Sequence, residues 1–252
     1  MSAASLAELL VASRRSGRRV GALAADLVPK DDDAAYAVQE EVAGLLGFAV
    51  AGWKVGSPSP TGPVSAAPLF APLVAPSPAR FTAAPDSFRA VEAELALMIG
   101  ADLPARARPY SEDEAWAAVA SVHVAIEFLD SRYVDRARMS AQAMLADNLS
   151  NGGLCFGAPM PLAAVDFLTA KVSLTLDGTE AKAAVGGNAA GHPKRLLGWL
   201  ANHAASRGRA LKKGNIVTTG SHTGITIARL GSTARARFAG IGEAELTLAP
   251  NE

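Results

Sequence analysis

Glu92 and Glu94 stand two apart in an apolar run, Phe88-Arg-Ala-Val-Glu-Ala-Glu-Leu-Ala-Leu-Met-Ile99. Strand side chains alternate with period two, so both carboxylates share one face, their Cα atoms about 6.6 Å apart. That spacing lets both lean onto one cation. The opposite face (Val91, Ala93, Leu95, Leu97, Ile99) is wholly apolar, and Ala96 and Met98 extend the acidic face into a semi-buried one. Two close carboxylates there repel each other and lose hydration unless a cation or a proton neutralises them. An all-oxygen donor set suits Mg²⁺ or Mn²⁺ rather than zinc. A second reading stays open, in which the glutamates simply face water. Glu127 shifts the balance. It is a single charge inside the apolar run Ser121-Val-His-Val-Ala-Ile-Glu-Phe-Leu-Asp130, which is costly unless partnered. Three carboxylates make a site for a hard cation, and His123, on the face of Glu127, reads as packing or as support for the ligands.

Lys54 is the candidate cationic group. In Ala51-Gly-Trp-Lys-Val-Gly56 it shares its strand face with Gly52 and Gly56, which leave space on both sides of it. Glycine inside a strand often marks close approach of a ligand or another backbone. Such a lysine can bind a substrate carboxylate or enolate, or shuttle a proton. The alternative is a surface lysine on an edge strand.

The elements that must position these groups are legible in outline. Ser5-Leu-Ala-Glu8 is a capping box opening a short helix through Ser13, and Asp31 to Asp33 cap a second helix ended by Gly47. A strand over 49–56 leads into a proline-rich stretch over 57–85, predicted to wrap the surface or an edge of the site. Ser111-Glu-Asp-Glu114 is another capping box, opening a helix that runs into the Glu127 strand. Residues 140–149 read as a helix ending in Asn151-Gly-Gly153. A strand over 171–176 closes on the Asp177-Gly178 hairpin turn, and Pro193 opens a helix through Ser206. The remainder reads as strands over 215–219, 224–229, 234–238 and 243–248. No glycine-rich phosphate loop follows a strand, so a doubly wound nucleotide fold is not expected.

Composition bounds the function. The 252 residues include equal numbers of acidic and basic side chains, which argues against electrostatically driven nucleic-acid binding. Arg14-Arg15 and Arg18-Arg19 form the only tight basic cluster, read as a solvated helix end. Cys155, the single cysteine, reads as a buried structural thiol in a reducing compartment. No segment has the length and apolarity of a transmembrane helix, and a cytoplasmic location is expected.

Taken together, the motifs resemble the 2-keto-4-pentenoate hydratase branch of the fumarylacetoacetate hydrolase superfamily. Ala35-Tyr-Ala-Val-Gln39 is similar to that family's N-terminal helix motif, and Gly52-Trp-Lys-Val-Gly56 to its G-x-K-[VI]-G strand. Val91-Glu-Ala-Glu-Leu95 and Ala125-Ile-Glu127 resemble its metal-ligand segments, and Asp147-Asn-Leu-Ser-Asn-Gly-Gly153 its D-N-x-[SA]-x-[GA] turn. Gly191-His-Pro193, the segment from Leu211 to Ser221, and Phe238-Ala-Gly-Ile-Gly-Glu243 extend the likeness over nearly the whole chain.

The resemblance implies an α+β fold: a rolled, mainly antiparallel sheet core with flanking helices. A small N-terminal helical segment (1–48) would precede a catalytic domain (49–252). It implies Mg²⁺ or Mn²⁺ held by Glu92, Glu94 and Glu127, and a 2-oxo acid substrate. Lys54 and Ser150 would act on the substrate, which Leu95, Gly220, Ser221 and His222 would contact. His192 reads as structural. The implied reaction adds water to a 2-hydroxy-2,4-dienoate, giving a 4-hydroxy-2-oxo acid in aromatic catabolism. Implied partners are further copies of the chain and an enzyme of the same pathway. One departure matters: Ser65-Ala-Ala-Pro-Leu-Phe70 stands where related hydratases carry an acid, in a D-[FY]-G-x-L segment. Decarboxylation of a 2-oxo-3-enedioate needs no water addition and stays open, as do acylpyruvate hydrolysis and a non-catalytic scaffold.

Overall fold

The computed structural model describes residues 5–250. Helix α1 (Leu6–Ser16) opens on the Ser5/Glu8 capping box, and α2 (Asp32–Leu46) on Asp31, whose carboxylate accepts from the Ala34 N–H at 2.8 Å. Gly47 ends α2 in the left-handed conformation, as its position in the sequence leads one to expect. There follow β1 (Val50–Gly56), β2 (Ser65–Phe70), β3 (Val74–Pro76), β4 (Ala79–Ala83) and β5 (Ala90–Ile99). Helix α3 (Glu112–Ala117), again with its capping box, leads into β6 (Val119–Leu129), α4 (Ala141–Ala146) and β7 (Asn151–Met160). The hairpin of β8 (Lys171–Leu176) and β9 (Thr179–Val185) precedes α5 (Lys194–Ser206). The chain closes with β10 (Ile216–Ser221), β11 (Thr226–Ile227), β12 (Thr233–Phe238) and β13 (Gly242–Pro250).

Two sheets result. The larger runs β2-β1-β10-β5-β6-β7-β3, with β11 also on β5; the smaller runs β4-β13-β12-β8-β9. Among the described residues only β1–β10, β3–β7 and β4–β13 pair in parallel, so the expected mainly antiparallel, curled sheet core is present. The main hydrophobic core lies between the sheets. Leu95, Leu97, Val124 and Ile126 enter it from the larger sheet, and Val172, Leu174, Phe238 and Leu246 from the smaller. The acidic face of β5 is therefore the other face. Part of it is closed by Leu69, Ala96, Ala125, Leu154 and Ile216, and α1, α2 and α4 form a separate apolar cluster with Phe70 and Tyr133. Both faces of β5 and β6 are thus largely covered, which explains why alternation alone left the acidic face ambiguous.

Four local expectations are corrected. The proline-rich stretch is not a plain wrap, because it contributes β2, β3 and β4 to the two sheets. The helix expected over 140–149 stops at Ala146, and Asn151-Gly-Gly153 opens β7 instead of capping it. The strand expected over 224–229 shrinks to the two residues of β11. Of the arginine cluster, Arg15 and Arg18 face solvent, but Arg14 and Arg19 turn inward and are partly buried.

Candidate active site

The pairing of β5 with β6 places Glu92 directly opposite Glu127, and Glu94 opposite Ala125. Like charges in direct opposition destabilise a sheet, and here little water compensates: Glu94 and Glu127 are 2% and 1% exposed. One carboxylate oxygen from each of the three glutamates lies within 4.8 Å of the others. Lys54 donates to Glu127 Oε1 at 2.5 Å, and the Asn151 side-chain amide donates to the same oxygen at 2.8 Å. The Thr218 hydroxyl and the Gly220 N–H (3.0 Å) both donate to Glu94 Oε2. Each buried carboxylate is therefore fixed through one oxygen, and its second oxygen is left to a ligand. Three carboxylates face one ammonium. Burial first, then Glu127 and Glu92, push the Glu94 carboxyl up to about 8. Glu92 is also raised, by burial and by Glu127, against the opposing effects of Lys54, the Ser221 hydroxyl and Arg136. An all-oxygen set with an excess of negative charge and one free oxygen per anchored carboxylate fits a hard divalent cation.

Lys54 is held at both ends of its reach, since its ammonium also donates to the Leu149 carbonyl at 3.2 Å. That carbonyl belongs to an unusual turn. Asn148, Leu149 and Ser150 have φ of 50°, 52° and 62°, three successive non-glycine residues in the left-handed region. Each costs about 1–2 kcal/mol, and such strain persists only where the surroundings impose it. The neighbouring Asp147, locked to Arg132 through side chain and backbone, supplies that constraint. Ser150 is fully buried, and among the described residues its hydroxyl has no partner. An unpaired buried hydroxyl beside the lysine's anchor is available to a ligand.

The space around Lys54 has a different origin from the one its neighbours suggest. A Cβ on Gly52 would come within 1.9 Å of the Ile216 carbonyl oxygen, so Gly52 admits strand β10. Only Gly56 faces open space. Ser221 stands opposite Glu94 in the β10–β5 pairing and favours the charged form of Glu92, and Gly220 reaches the site through its N–H. Leu95 and His222 do not. The Leu95 side chain lies in the core between the sheets, and only its carbonyl points to this strand's neighbour, accepting from Thr219 at 2.8 Å. The pairing of β10 with β5 shifts register between Thr218 and Ser221, which turns His222 to the core side against Phe238. Burial holds the His222 imidazole at about 4, against weaker opposing effects of the Gly220 and Phe167 backbones, so it is neutral at physiological pH.

The remaining candidates are structural. Both ring nitrogens of His123 are occupied, by Ser121 Oγ (2.9 Å) and the Gly157 carbonyl (2.8 Å). His192 accepts from the Lys194 N–H at the start of α5. Cys155 donates to the Glu245 carbonyl, and burial pushes its thiol up to about 11. Sequence reasoning missed Thr218, Asn151 and Arg136. The first two carry only the signal of a polar residue in or next to an apolar strand, and Arg136 none.

A curled pair of sheets carrying a carboxylate triad and a partly buried lysine on one face defines a class of fold and site. The chain belongs to the fumarylacetoacetate hydrolase family, whose model, described as Fumarylacetoacetate (FAA) hydrolase C-terminal, matches residues 63–249. A 4-oxalocrotonate decarboxylase from a Pseudomonas species is 31% identical over 152 residues, 60% of this chain and 57% of that protein's length. A 2-keto-4-pentenoate hydratase 1 from Dechloromonas aromatica is 30% identical over 238 residues, 88% of this chain and 87% of that protein. Among solved structures, the 4-oxalocrotonate decarboxylase from Pseudomonas putida G7, complexed with magnesium and adipate, superposes with a TM-score of 0.83. It covers 96% of this chain and 95% of that one at 23% identity, a likeness of fold. No helix among the described residues is long and apolar enough to cross a membrane.

Proposed function

We propose that this protein is a cytoplasmic, divalent-cation-dependent lyase that adds water to a 2-hydroxy-2,4-dienoate of the 2-keto-4-pentenoate type, giving a 4-hydroxy-2-oxo acid. The observation that carries this reading is the convergence of Glu92, Glu94 and Glu127 with Lys54 bound to one of them. The hydratase relative, aligned over most of both chains, supports the choice of reaction. The three glutamates would hold Mg²⁺ or Mn²⁺, which when bound supplies a Lewis acid for the carboxylate and 2-oxo oxygens of a substrate. Lys54, fixed between Glu127 and the Leu149 carbonyl, would stabilise negative charge developing on the 2-oxo oxygen and pass a proton to the carbon skeleton. The Ser150 hydroxyl would orient the substrate or the added water. The main core lies behind β5 and keeps solvent from that side of the carboxylates.

A second reading rests on Arg136. Its guanidinium stacks 4.6 Å from the centre of the Phe88 ring and favours the charged form of Glu92. A cation near enough to favour a charged Glu92, though without a direct ion pair to it, could hold the far carboxylate of a 2-oxo-3-enedioate, and decarboxylation needs no acid at Ser65. The magnesium and adipate of the similar solved structure, a cation and a dicarboxylate, are consistent with this substrate class.

Turnover of a dienoate and an enedioate, each with and without Mg²⁺, separates the two. Hydration of the dienoate is expected, lost on chelation and reduced about 10²–10³-fold by Lys54→Ala with cation affinity kept. Carbon dioxide release from the enedioate, abolished by Arg136→Ala while dienoate hydration is absent, would replace the first reading with the second. Lys54→Ala turnover within about threefold of the parent would refute both.

A further inference from the structure

Outside the glutamate cluster, α1 and the end of β6 enclose a cleft of about 200 Å³. One water needs only about 10–15 Å³. Three arginines line it: Arg14 from α1, Arg19 just beyond it, and Arg132 after β6. Asp130 also lines it, and Phe70 and Gly152 form part of its wall. Two of the three cations are spoken for. Arg19 pairs with Asp130 at 2.6 Å with a side chain only 8% exposed, and Arg132 pairs with the buried Asp147. Arg14 differs. Among the described residues it has no ion pair and no hydrogen bond, its Nε is buried without a partner, and its guanidinium carbon lies 5.7 Å from the centre of the Phe70 ring.

An unpaired guanidinium facing a polar cleft is costly unless a counter-ion joins it. Burial and Arg132 lower the Arg14 pKa to about 9, against partial opposition from Asp147 and Asp130, so the group is still charged at neutral pH. Three positive charges are answered by two negative ones, Asp130 on the wall and Asp147 buried behind Arg132. We propose that the cleft is a binding site for a small oxyanion, a phosphate or a carboxylate, with Arg14 as its principal ligand and Arg19 flanking it. The planar fork of an arginine matches either oxyanion through two parallel hydrogen bonds, and the cleft's surplus charge selects an anion over a neutral ligand. Asp130 limits the charge the site accepts, because its carboxylate lies on the same wall.

Sulfate is a suitable probe, since it stays fully charged and has little affinity for the glutamate site. Calorimetric titration of the full chain with sulfate, in EDTA and with ionic strength held constant by sodium chloride, should show one saturable event per chain. Arg14→Met, which keeps the stem's packing, should weaken it at least about tenfold. Glu94→Gln, which is not among the residues lining the cleft, should leave it unchanged. Parallel titrations with phosphate and acetate identify the source of the oxyanion, the tighter of the two naming its chemistry. If Arg14→Met does not fold, Arg14→Lys, which keeps the charge but loses the fork, should still weaken binding. Equal sulfate binding by the parent and the folded Arg14 variant, or no saturable binding by the parent, would overturn the site.

Discussion

The buried charges of this protein fall into two neighbouring groups built on opposite terms. The Arg132–Asp147 pair is itself fully satisfied: the guanidinium donates to the Asp147 carboxylate, to the Asp147 carbonyl (2.8 Å) and to the Asn151 carbonyl (2.9 Å). Asp147 also accepts from the Arg132 N–H at 3.0 Å and from the Ser131 hydroxyl. Around Glu92, Glu94 and Glu127, one ammonium answers three carboxylates. Both groups are buried, and burial alone therefore does not separate a structural cluster from a functional one. Charge balance does. The first group is closed and holds the strained Asn148–Ser150 turn in place; the second is left open and needs something from outside the chain.

The largest expected effect breaks the open group. Glu94→Gln should lower turnover by more than the roughly 10²–10³-fold expected for Lys54→Ala, because it disables cation binding for every substrate molecule. It should also change stability in a direction specific to this site. The Glu94 carboxyl is raised from about 4.5 to about 8, so between those values the folded chain holds a proton that the unfolded chain has released. The parent in EDTA should then lose stability as pH rises through that window, and Glu94→Gln should lose less. Urea unfolding at several pH values checks this, and a parent whose stability rises with pH across the window would show that the cluster is balanced after all.

Breaking the closed group should act on the fold instead. Asp147→Ala leaves Arg132 buried without its counter-ion and should cost about 3–5 kcal/mol, read from the urea midpoint. Replacing both partners, Arg132→Met with Asp147→Leu, should recover much of that loss. Mg²⁺ affinity of the folded single variant should remain within about threefold of the parent, since the ligands sit on β5 and β6. A large loss of cation affinity would merge the two groups into one.

The contrast also explains what the sequence made legible. Glu92, Glu94 and Glu127 stand out because a charge inside an apolar strand conflicts with its surroundings, and alternation assigns it a face. Capping boxes at Ser5 and Ser111 were equally legible, being local chemistry between residues three apart. Alternation failed where the backbone departs from regularity. The shift of register between Thr218 and Ser221 sends His222 into the core, and three left-handed residues bring the Leu149 carbonyl to Lys54. Neither departure has a glycine at every position to announce it. Leu95 was lost to a simpler cause, as residues adjacent to a ligand in a strand point the other way. Arg14 and Arg15 look alike in the sequence, and only helix phase turns one inward.

The smallest expected effect concerns the residue that touches both groups. Asn151 accepts from Arg132 through its carbonyl and donates to Glu127 through its side-chain amide. Asn151→Ala removes the second contact and keeps the first. If the two groups are separate in kind, the change should register almost wholly at the open one. Glu127 would keep Lys54 as its only side-chain donor among the described residues and lose the hydrogen bond that fixes its orientation, and partners of this sort typically contribute about 10–100-fold in metal affinity. The lower end is expected, because Lys54 already holds the same oxygen at 2.5 Å. Stability should change far less than in Asp147→Ala, since the Arg132 guanidinium retains every acceptor. Mn²⁺ titration and urea unfolding on the same preparation read the two effects side by side. A variant that unfolds as readily as Asp147→Ala yet binds Mn²⁺ like the parent would place Asn151 in the closed group, and the boundary between structure and function would have to be drawn at Glu127.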